Sequence, residues 1–331
     1  MLTVQEEAMA KYTVAVVSLG YESYTTEREI LRSIDAELVL APRDCLREDE
    51  VIAAARDADA ILVREAPVSA RVIDALPRCR AIVRYGVGVD NIDLEHARKR
   101  KIYVANVPGY GTEEVSDHAA ALLLACIRRL RTRDANLRQG CFETDIQEPI
   151  FRTTGKTLGL IGYGQIGRAL HRKWKGFLPQ RVLVFDPYAQ PELIRENGAE
   201  ATELDALLAE SDYISLHAPL TAQTRHIINA ETLGKMKPTA ILVNTARGEL
   251  IDEKALAKAI GECRVSAAGL DVFEQEPLAP DHPFIGLANV VLSGHVGWYS
   301  KDAVKELQTR GAQEIVRVLS GGVPQCWVNR W

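Results

Sequence analysis

The residues of this chain best suited to chemistry gather in a few short stretches. In T-L-G-L-I-G-Y-G-Q-I-G-R, Gly162, Gly164 and Gly167 stand at the G-x-G-x-x-G spacing. Gly162 permits a tight turn, and Gly164 lets backbone approach a pyrophosphate with no Cβ in the way. Gly167 lets the next helix pack close to the strand, so that the helix N-terminus faces the phosphates. Asp186 follows roughly 20 residues on, where an acid accepts hydrogen bonds from ribose hydroxyls and repels a 2′-phosphate. Pro187 and Tyr188 come next, with no arginine to hold that phosphate, so the pattern favours NAD over NADP. Further along, Arg247 (in N-T-A-R-G), Asp271, Glu276 (in F-E-Q-E-P) and His295 (in S-G-H-V-G-W) each fall just beyond an apolar run. Singly, each has a bland reading as a surface ion pair, a solvated acid or a loop histidine. Together, past the ends of successive strands over a nucleotide site, they point to one reactive crevice.

Such side chains need a scaffold that delivers them to one edge. Leu158 to Ile161 reads as a buried strand, and Gln165 onward as a helix with apolar positions at Ile166, Leu170 and Trp174. Strand patterns follow at Arg181 to Phe185, Tyr213 to His217, Ala240 to Asn244, Ser266 to Val272 and Val290 to Ser293. With the first, that is the strand count of a full dinucleotide-binding sheet. The first hundred residues also alternate. Strands at Tyr12 to Ser18, Ala36 to Leu40, Ala58 to Val63 and Arg80 to Val83 are separated by helices at Thr26 to Ile34, Glu48 to Arg56 and Ser69 to Ala75. That order predicts a second parallel sheet with helices on both faces. It lacks a glycine-rich turn after its first strand, which makes it the candidate substrate domain. There, Arg84 with the turn Gly86-Val87-Gly88 offers a guanidinium and exposed amides suited to a carboxylate; a tight turn with a surface arginine is the alternative.

The turn-rich N-V-P-G-Y-G at 106–111 reads as a domain boundary, followed by a long helix over Glu113 to Leu130 with Thr112 as its N-cap. Acids in the first turn and Arg128 and Arg129 in the last suit the helix dipole. Its centre, A-A-A-L-L-L-A-C-I, is apolar nearly all round, which predicts burial against its own domain and a second subunit in a homodimer. Gln139 to Arg152 reads as a loop, and Lys301 to Leu319 as a terminal amphipathic helix that returns to the first domain. The expected division is a substrate domain of residues 1–107 and 297–331 and a cofactor domain of residues 108–296, with two crossings acting as a hinge.

At 331 residues, 47% hydrophobic and net charge −5, the chain reads as an ordinary globular protein of about two domains, with no basic field for nucleic acid. No apolar run approaches the roughly 18 residues that span a bilayer. The acidic N-terminus has no signal-peptide core. Six cysteines without a C-x-x-C pair argue for reduced thiols in a cytoplasmic protein, with no disulfide framework and no metal site.

T-L-G-L-I-G-Y-G-Q-I-G-R, S-L-H-A-P-L-T, N-T-A-R-G, G-L-D-V-F-E-Q-E-P and G-H-V-G-W, in this order along essentially the whole chain, resemble the D-isomer-specific 2-hydroxyacid dehydrogenases. V-P-G-Y-G-T-E-E-V and H-V-G-W-Y-S look closest to the branch containing the C-terminal-binding proteins and their bacterial relatives. The resemblance implies an α/β protein with two doubly wound parallel-sheet domains, a Rossmann cofactor domain and a flavodoxin-like substrate domain. It implies His295 as acid/base, Glu276 on its other ring nitrogen favouring the protonated imidazole, and Arg247 on the carboxylate of a 2-oxo or 2-hydroxy acid, helped by Arg84, Val87 and Gly88. Ile161, Gly162, Gly164, Gln165, Ile166, Gly167, Asp186, His217, Ala218, Pro219, Thr224, Thr245, Ala246, Asp271 and His295 would line NAD, Asp271 holding the nicotinamide amide.

The sequence departs from the family at Gly294, where proline commonly precedes the catalytic histidine, which implies a more mobile loop. The chain carries no appended regulatory domain after Trp331, which weakens a phosphoglycerate assignment. Formate dehydrogenases of this fold have glutamine where Glu276 stands, which argues against formate. Trp298, three residues after His295, is expected to wall the substrate pocket and to favour bulky apolar 2-oxo acids over glyoxylate and 3-phosphohydroxypyruvate. The competing class of function is an NAD(H)-sensing, corepressor-like binding protein with little turnover.

Overall fold

The computed structural model describes residues 10–142 and 149–331, so part of the expected loop at 139–152 and most of the N-terminal segment lie outside the described residues. Two compact units emerge: one runs up to Tyr110 and takes in Ser300–Trp331, and the other is Gly111–Tyr299.

The first unit alternates β1 (Tyr12–Val16), α1 (Thr25–Leu31), β2 (Ala36–Leu40), α2 (Glu48–Ala55), β3 (Ala60–Val63), α3 (Ala70–Asp74), β4 (Ala81–Arg84), α4 (Leu94–Lys99) and β5 (Tyr103–Ala105). The strands form one parallel sheet in the order β2-β1-β3-β4-β5, the flavodoxin-like arrangement. A-I-L-V in β3 and A-I-V-R in β4 are buried along their whole length, as parallel strands covered on both faces require. β5 escapes sequence reading because Y-V-A is too short to carry a pattern. The terminal helix, Lys301–Leu319, packs in this unit against α1 and β4. Buried Glu27 on α1 accepts from Tyr85 Oη (2.6 Å) and from Gln308 Nε2 on the terminal helix (3.1 Å). Burial raises the Glu27 carboxyl from its ordinary range, partly offset by those two donors.

The second unit opens with α5 (Thr112–Ile127) and α6 (Leu130–Arg138). It continues through β6 (Thr157–Ile161), α7 (Gln165–Trp174), β7 (Arg181–Phe185), α8 (Pro191–Glu196), β8 (Glu200–Ala201), α9 (Leu204–Glu210), β9 (Tyr213–Leu216), α10 (Ala230–Lys235), β10 (Ile241–Asn244), α11 (Glu253–Gly261), β11 (Ala267–Leu270) and β12 (Val290–Leu292). These strands make a seven-stranded parallel sheet, β12-β11-β10-β9-β6-β7-β8. The strand missing from the sequence reading is β8, an exposed two-residue edge. The chain order reverses between β6 and β9, and the crevice beyond the carboxyl ends of such a pair is where open α/β sheets bind ligands. α5 lies directly on the sheet, because a Cβ at Gly269 of β11 would come within 2.9 Å of Leu122 Cβ.

Two expectations for α5 need correction. Its N-cap is Gly111, with no side-chain cap, and Thr112 is the first helical residue, its hydroxyl bonded to Gln165 Oε1 at 3.3 Å. The helix also ends earlier than expected, at Ile127. Arg129 turns left-handed (φ 55°) and donates to the carbonyl (3.1 Å) and hydroxyl (2.7 Å) of Ser266, so its side chain braces the entry to β11.

Candidate active site

The phosphate-type turn is built by close approach. Gly162 leaves β6 at φ +94°, and a Cβ there would lie 2.6 Å from the backbone of His217 and Ala218. A Cβ at Gly167 would lie 2.4 Å from the Gly162 carbonyl oxygen, so the helix can sit on the turn only as glycine. Gly164 instead faces open space, and α7 behind it has no side-chain cap, which leaves its first N–H groups for an anion. Gln165 is exposed and Ile166 half-buried at this helix start. Asp186, at the end of β7, accepts from Tyr163 N (2.7 Å), Tyr188 N (2.9 Å) and Ala189 N (3.2 Å), fixing its carboxylate beside the glycine turn.

After β9, His217 Nε2 pairs with Ser215 Oγ at 2.9 Å, and burial pushes the imidazole down to about 4, so it stays neutral at pH 7. Ala218 and Pro219 continue this exit, and Thr224 Oγ1 donates back to the Pro219 carbonyl (2.6 Å). After β10, the Thr245 hydroxyl is buried without a hydrogen-bond partner, and Ala246 N donates to Asn244 Oδ1 (3.0 Å). Buried polar atoms are seldom left orphaned. The open glycine cradle, the uncapped helix, the fixed acid and the orphaned Thr245 hydroxyl fit a dinucleotide.

The reactive side chains lie in the same unit. His295 Nδ1 and Glu276 Oε2 are 2.6 Å apart, and Glu276 Oε1 accepts from Phe273 N at 3.0 Å. Burial alone would raise the Glu276 carboxyl. The bond and charge of His295 and the Phe273 amide outweigh it and hold the group below its usual range. An ionised carboxylate only accepts, so Nδ1 carries the proton and Nε2 is left to exchange one with a ligand. Arg247 follows β10; its Nη1 donates to the Ala246 carbonyl (2.7 Å), and buried Asn244 donates to the Arg247 carbonyl (2.7 Å), closing the loop.

Asp271 has a task that its sequence position did not announce. It is buried, and its carboxylate accepts from Ser293 Oγ (2.6 Å), Val296 N (3.0 Å) and Gly297 N (2.8 Å). Burial would raise its carboxyl, and these donors together with His118 bring it below the ordinary value. His118 on α5 and Ser293 are functional candidates the sequence reading missed. His118 directly before the apolar run A-A-A-L-L-L-A-C-I was the available signal, since a polar side chain at the edge of a buried helix face needs a hydrogen-bond partner. Trp298 is half-buried, and its indole N–H donates to the His295 carbonyl at 3.0 Å. Gly294 is exposed, with nothing near its Cβ position.

The carboxylate candidates of the first unit form their own cluster. Arg84 is 9% exposed and curls back over the next turn, donating to the Tyr85 carbonyl (2.8 Å) and to Glu65 Oε1 (3.0 Å). A Cβ at Gly86 would lie 1.5 Å from Arg84 Nη1, which explains the glycine there. Arg84 Nε and Tyr21 Oη are buried with no hydrogen-bond partner. Val87 is exposed, its carbonyl accepting from Asn106 Nδ2 (2.7 Å), and Gly88 follows in the same bend.

Among the described residues, no His, Cys, Asp or Glu cluster could hold a metal, all six cysteines are free, and no helix is long and apolar enough to cross a membrane.

Comparison with known proteins accounts for this arrangement. Residues 120–297 match the family model for the D-isomer specific 2-hydroxyacid dehydrogenase NAD binding domain. A glyoxylate reductase of Korarchaeum cryptofilum (strain OPF8) is 42% identical over 284 residues, covering 85% of each chain. Among solved structures, a glyoxylate reductase from Paecilomyes thermophila superposes with a TM-score of 0.86 at 29% identity, covering 96% of this chain and 98% of that one. D-lactate dehydrogenase from Aquifex aeolicus, complexed with NAD and lactic acid, gives 0.82 at 28%, covering 93% and 96%. The chain belongs to the D-isomer specific 2-hydroxyacid dehydrogenase family and is an NAD(P)-binding dehydrogenase of D-2-hydroxy acids.

Proposed function

We propose that this enzyme reduces a small 2-oxo acid of the glyoxylate type with NADH, His295 serving as the acid. The observation that carries this reading is the 2.6 Å contact between His295 Nδ1 and Glu276 Oε2. It orients the imidazole and leaves Nε2 to give a proton to the oxo oxygen. Bound NADH supplies the hydride. Arg247, on its pinned loop, binds the carboxylate and polarises the carbonyl. In the first unit, Arg84 and the Val87 and Gly88 amides are groups of the kind that bind a carboxylate, which supports reading that unit as the substrate domain and the second as the cofactor domain.

Several further assignments rest on the same site. Gly162 to Gly167 cradle the pyrophosphate, and His217, Ala218, Pro219, Thr224, Thr245 and Ala246 line the remainder of the cofactor. Asp186 beside the turn supports NAD over NADP, because an added 2′-phosphate would meet a carboxylate. Glyoxylate reductase relatives support a small substrate. They favour it over the bulky apolar acids expected from Trp298; the indole, bonded through its N–H to the His295 carbonyl, stays beside the proposed acid and is kept as a substrate-side residue. The same relatives support a turnover enzyme over a corepressor-like NAD(H) sensor, and the resemblance to the C-terminal-binding-protein branch is not carried by them. Exposed Leu130 and Leu137 beside α5 support a homodimer through that helix pair, which sedimentation at micromolar concentration tests.

The test of the main reading is steady-state oxidation of NADH and NADPH with glyoxylate, hydroxypyruvate, phenylpyruvate, 4-methylthio-2-oxobutyrate and 3-phosphohydroxypyruvate. The highest kcat/KM is expected for NADH with glyoxylate or hydroxypyruvate. No turnover of any acid, or a clear preference for phenylpyruvate, would overturn it.

A further inference from the structure

His295 adopts φ +54°, a strained, left-handed conformation that residues with a Cβ seldom adopt. Such strain persists only where neighbouring structure over-determines it. Here the neighbour is Asp271. Its carbonyl accepts from His295 N (2.6 Å), and its carboxylate holds the next two amides, Val296 N (3.0 Å) and Gly297 N (2.8 Å). Three consecutive N–H groups thus converge on one buried residue. Gly297 is glycine for the same reason: a Cβ there would come within 2.9 Å of Asp271 Oδ2 and 3.1 Å of His118 Cδ2.

Asp271 is itself held from behind. Ser293 Oγ lies 2.6 Å from Asp271 Oδ1 and 2.8 Å from His118 Nε2, which is 3.4 Å from the same carboxylate oxygen. The carboxylate only accepts, so the serine hydroxyl donates to it and accepts from His118 Nε2–H. The donor order is fixed: His118 to Ser293 to Asp271 to the His295 loop. Its far end is anchored in α5, which packs on the sheet at Gly269.

We propose that His118 and Ser293 are positioning residues for the reaction, acting through Asp271 to hold the His295 backbone left-handed and its imidazole on Glu276. This rests on the proton-transfer role given to His295 above. Loss of the relay frees the Asp271 carboxylate to turn and the loop to relax, and a displacement of about 1 Å at a reacting group can cost a hundredfold in rate. The effect belongs chiefly in kcat, because the groups assigned to the substrate carboxylate and the pyrophosphate stand on other loops, and the nicotinamide contact expected of Asp271 is one among many to NAD.

The experiment compares wild type, His118→Leu, His118→Gln, Ser293→Ala and the double variant His118→Leu/Ser293→Ala. For each, kcat and KM for glyoxylate, NADH affinity by fluorescence titration and the melting temperature are measured. Ser293→Ala removes one oxygen and serves as the variant least able to disturb folding. Expected are a 10- to 100-fold loss of kcat in His118→Leu and Ser293→Ala with KM and NADH affinity within about threefold, recovery of most of kcat in His118→Gln, whose amide can donate as Nε2–H does, and a double variant no worse than the poorer single one. Unchanged kcat in both single variants, equal losses in His118→Gln and His118→Leu, or a fall in kcat accompanied by a comparable rise in KM and loss of NADH affinity would overturn the proposal. A wild-type enzyme inactive toward every 2-oxo acid would instead refute the reading of the reaction.

Discussion

Gly248 and Phe273 are in backbone contact: a Cβ on Gly248 would lie 1.8 Å from the Phe273 carbonyl carbon and 2.3 Å from Glu274 N. Gly248 directly follows Arg247, and Phe273 N donates to Glu276. The loop bearing Arg247, the arginine proposed for the substrate carboxylate, is therefore seated on the loop bearing the partner of His295. Gly248→Ala cannot fit without separating them. Its expected effect is a loss of at least 3 kcal/mol of stability, in the range of severe packing clashes, with kcat down by 100-fold or more in whatever folds. Urea denaturation and turnover of the same preparation check both.

Gly164→Ala is the opposite case, because nothing lies within 4 Å of its Cβ position. Stability should change by less than about 1 kcal/mol. NADH affinity should fall 10-fold or more, since the methyl stands where a phosphate would approach the uncapped helix. Fluorescence titration of NADH against melting temperature separates the two effects; a destabilised variant with intact NADH affinity would contradict the cradle.

Glu276→Gln keeps the shape of the group but removes its charge. The His295 bond and charge and the Phe273 amide hold the wild-type carboxyl below its usual range, so kcat should fall only at acid pH where that carboxylate is protonated, and the substitution should remove this acid limb. It should also lower kcat at neutral pH. A profile of kcat against pH with the same acid limb in wild type and variant would count against the pair.

His171 gives a stability effect away from the reaction. It is 2% exposed, burial and the nearby Lys175 charge push it down to about 4, and its Nδ1 pairs with Tyr163 Oη at 2.7 Å. Unfolded, it titrates near ~6.5. Between those values the unfolded chain binds a proton that the folded chain refuses. The site is neutral in both states above that window, and its contribution is lost as pH falls through it, reaching about 2 kcal/mol at pH 5. His171→Gln should lack that component, so the stability gap between wild type and variant should shift by this amount between pH 7 and pH 5 in urea titrations.

Much of this molecule was legible in its sequence. Apolar runs such as A-I-L-V and T-L-G-L-I are strands because full burial on two faces demands them, and the glycines after β6 are explained by close approach. β5 and β8, of three and two residues, are too short to carry a period. The Thr112 cap failed because Gly111 took the half-turned position and the hydroxyl found Gln165. The bond of His118 to Ser293 joins residues 175 apart in sequence, and no local pattern encodes it. Trp298 stands three residues from His295, and the indole N–H bond to the His295 carbonyl that holds it there is a contact which sequence proximity alone does not give.

Asp186 sets a condition for any redesign of coenzyme choice. The obvious exchange of this acid for a neutral or basic residue would also strip Tyr163, Tyr188 and Ala189 of their shared acceptor and loosen the bend that shapes the glycine turn. Engineers seeking NADPH use would therefore have to supply those amides with another acceptor when the charge is removed, and could place the cation at Tyr188, which is 84% exposed.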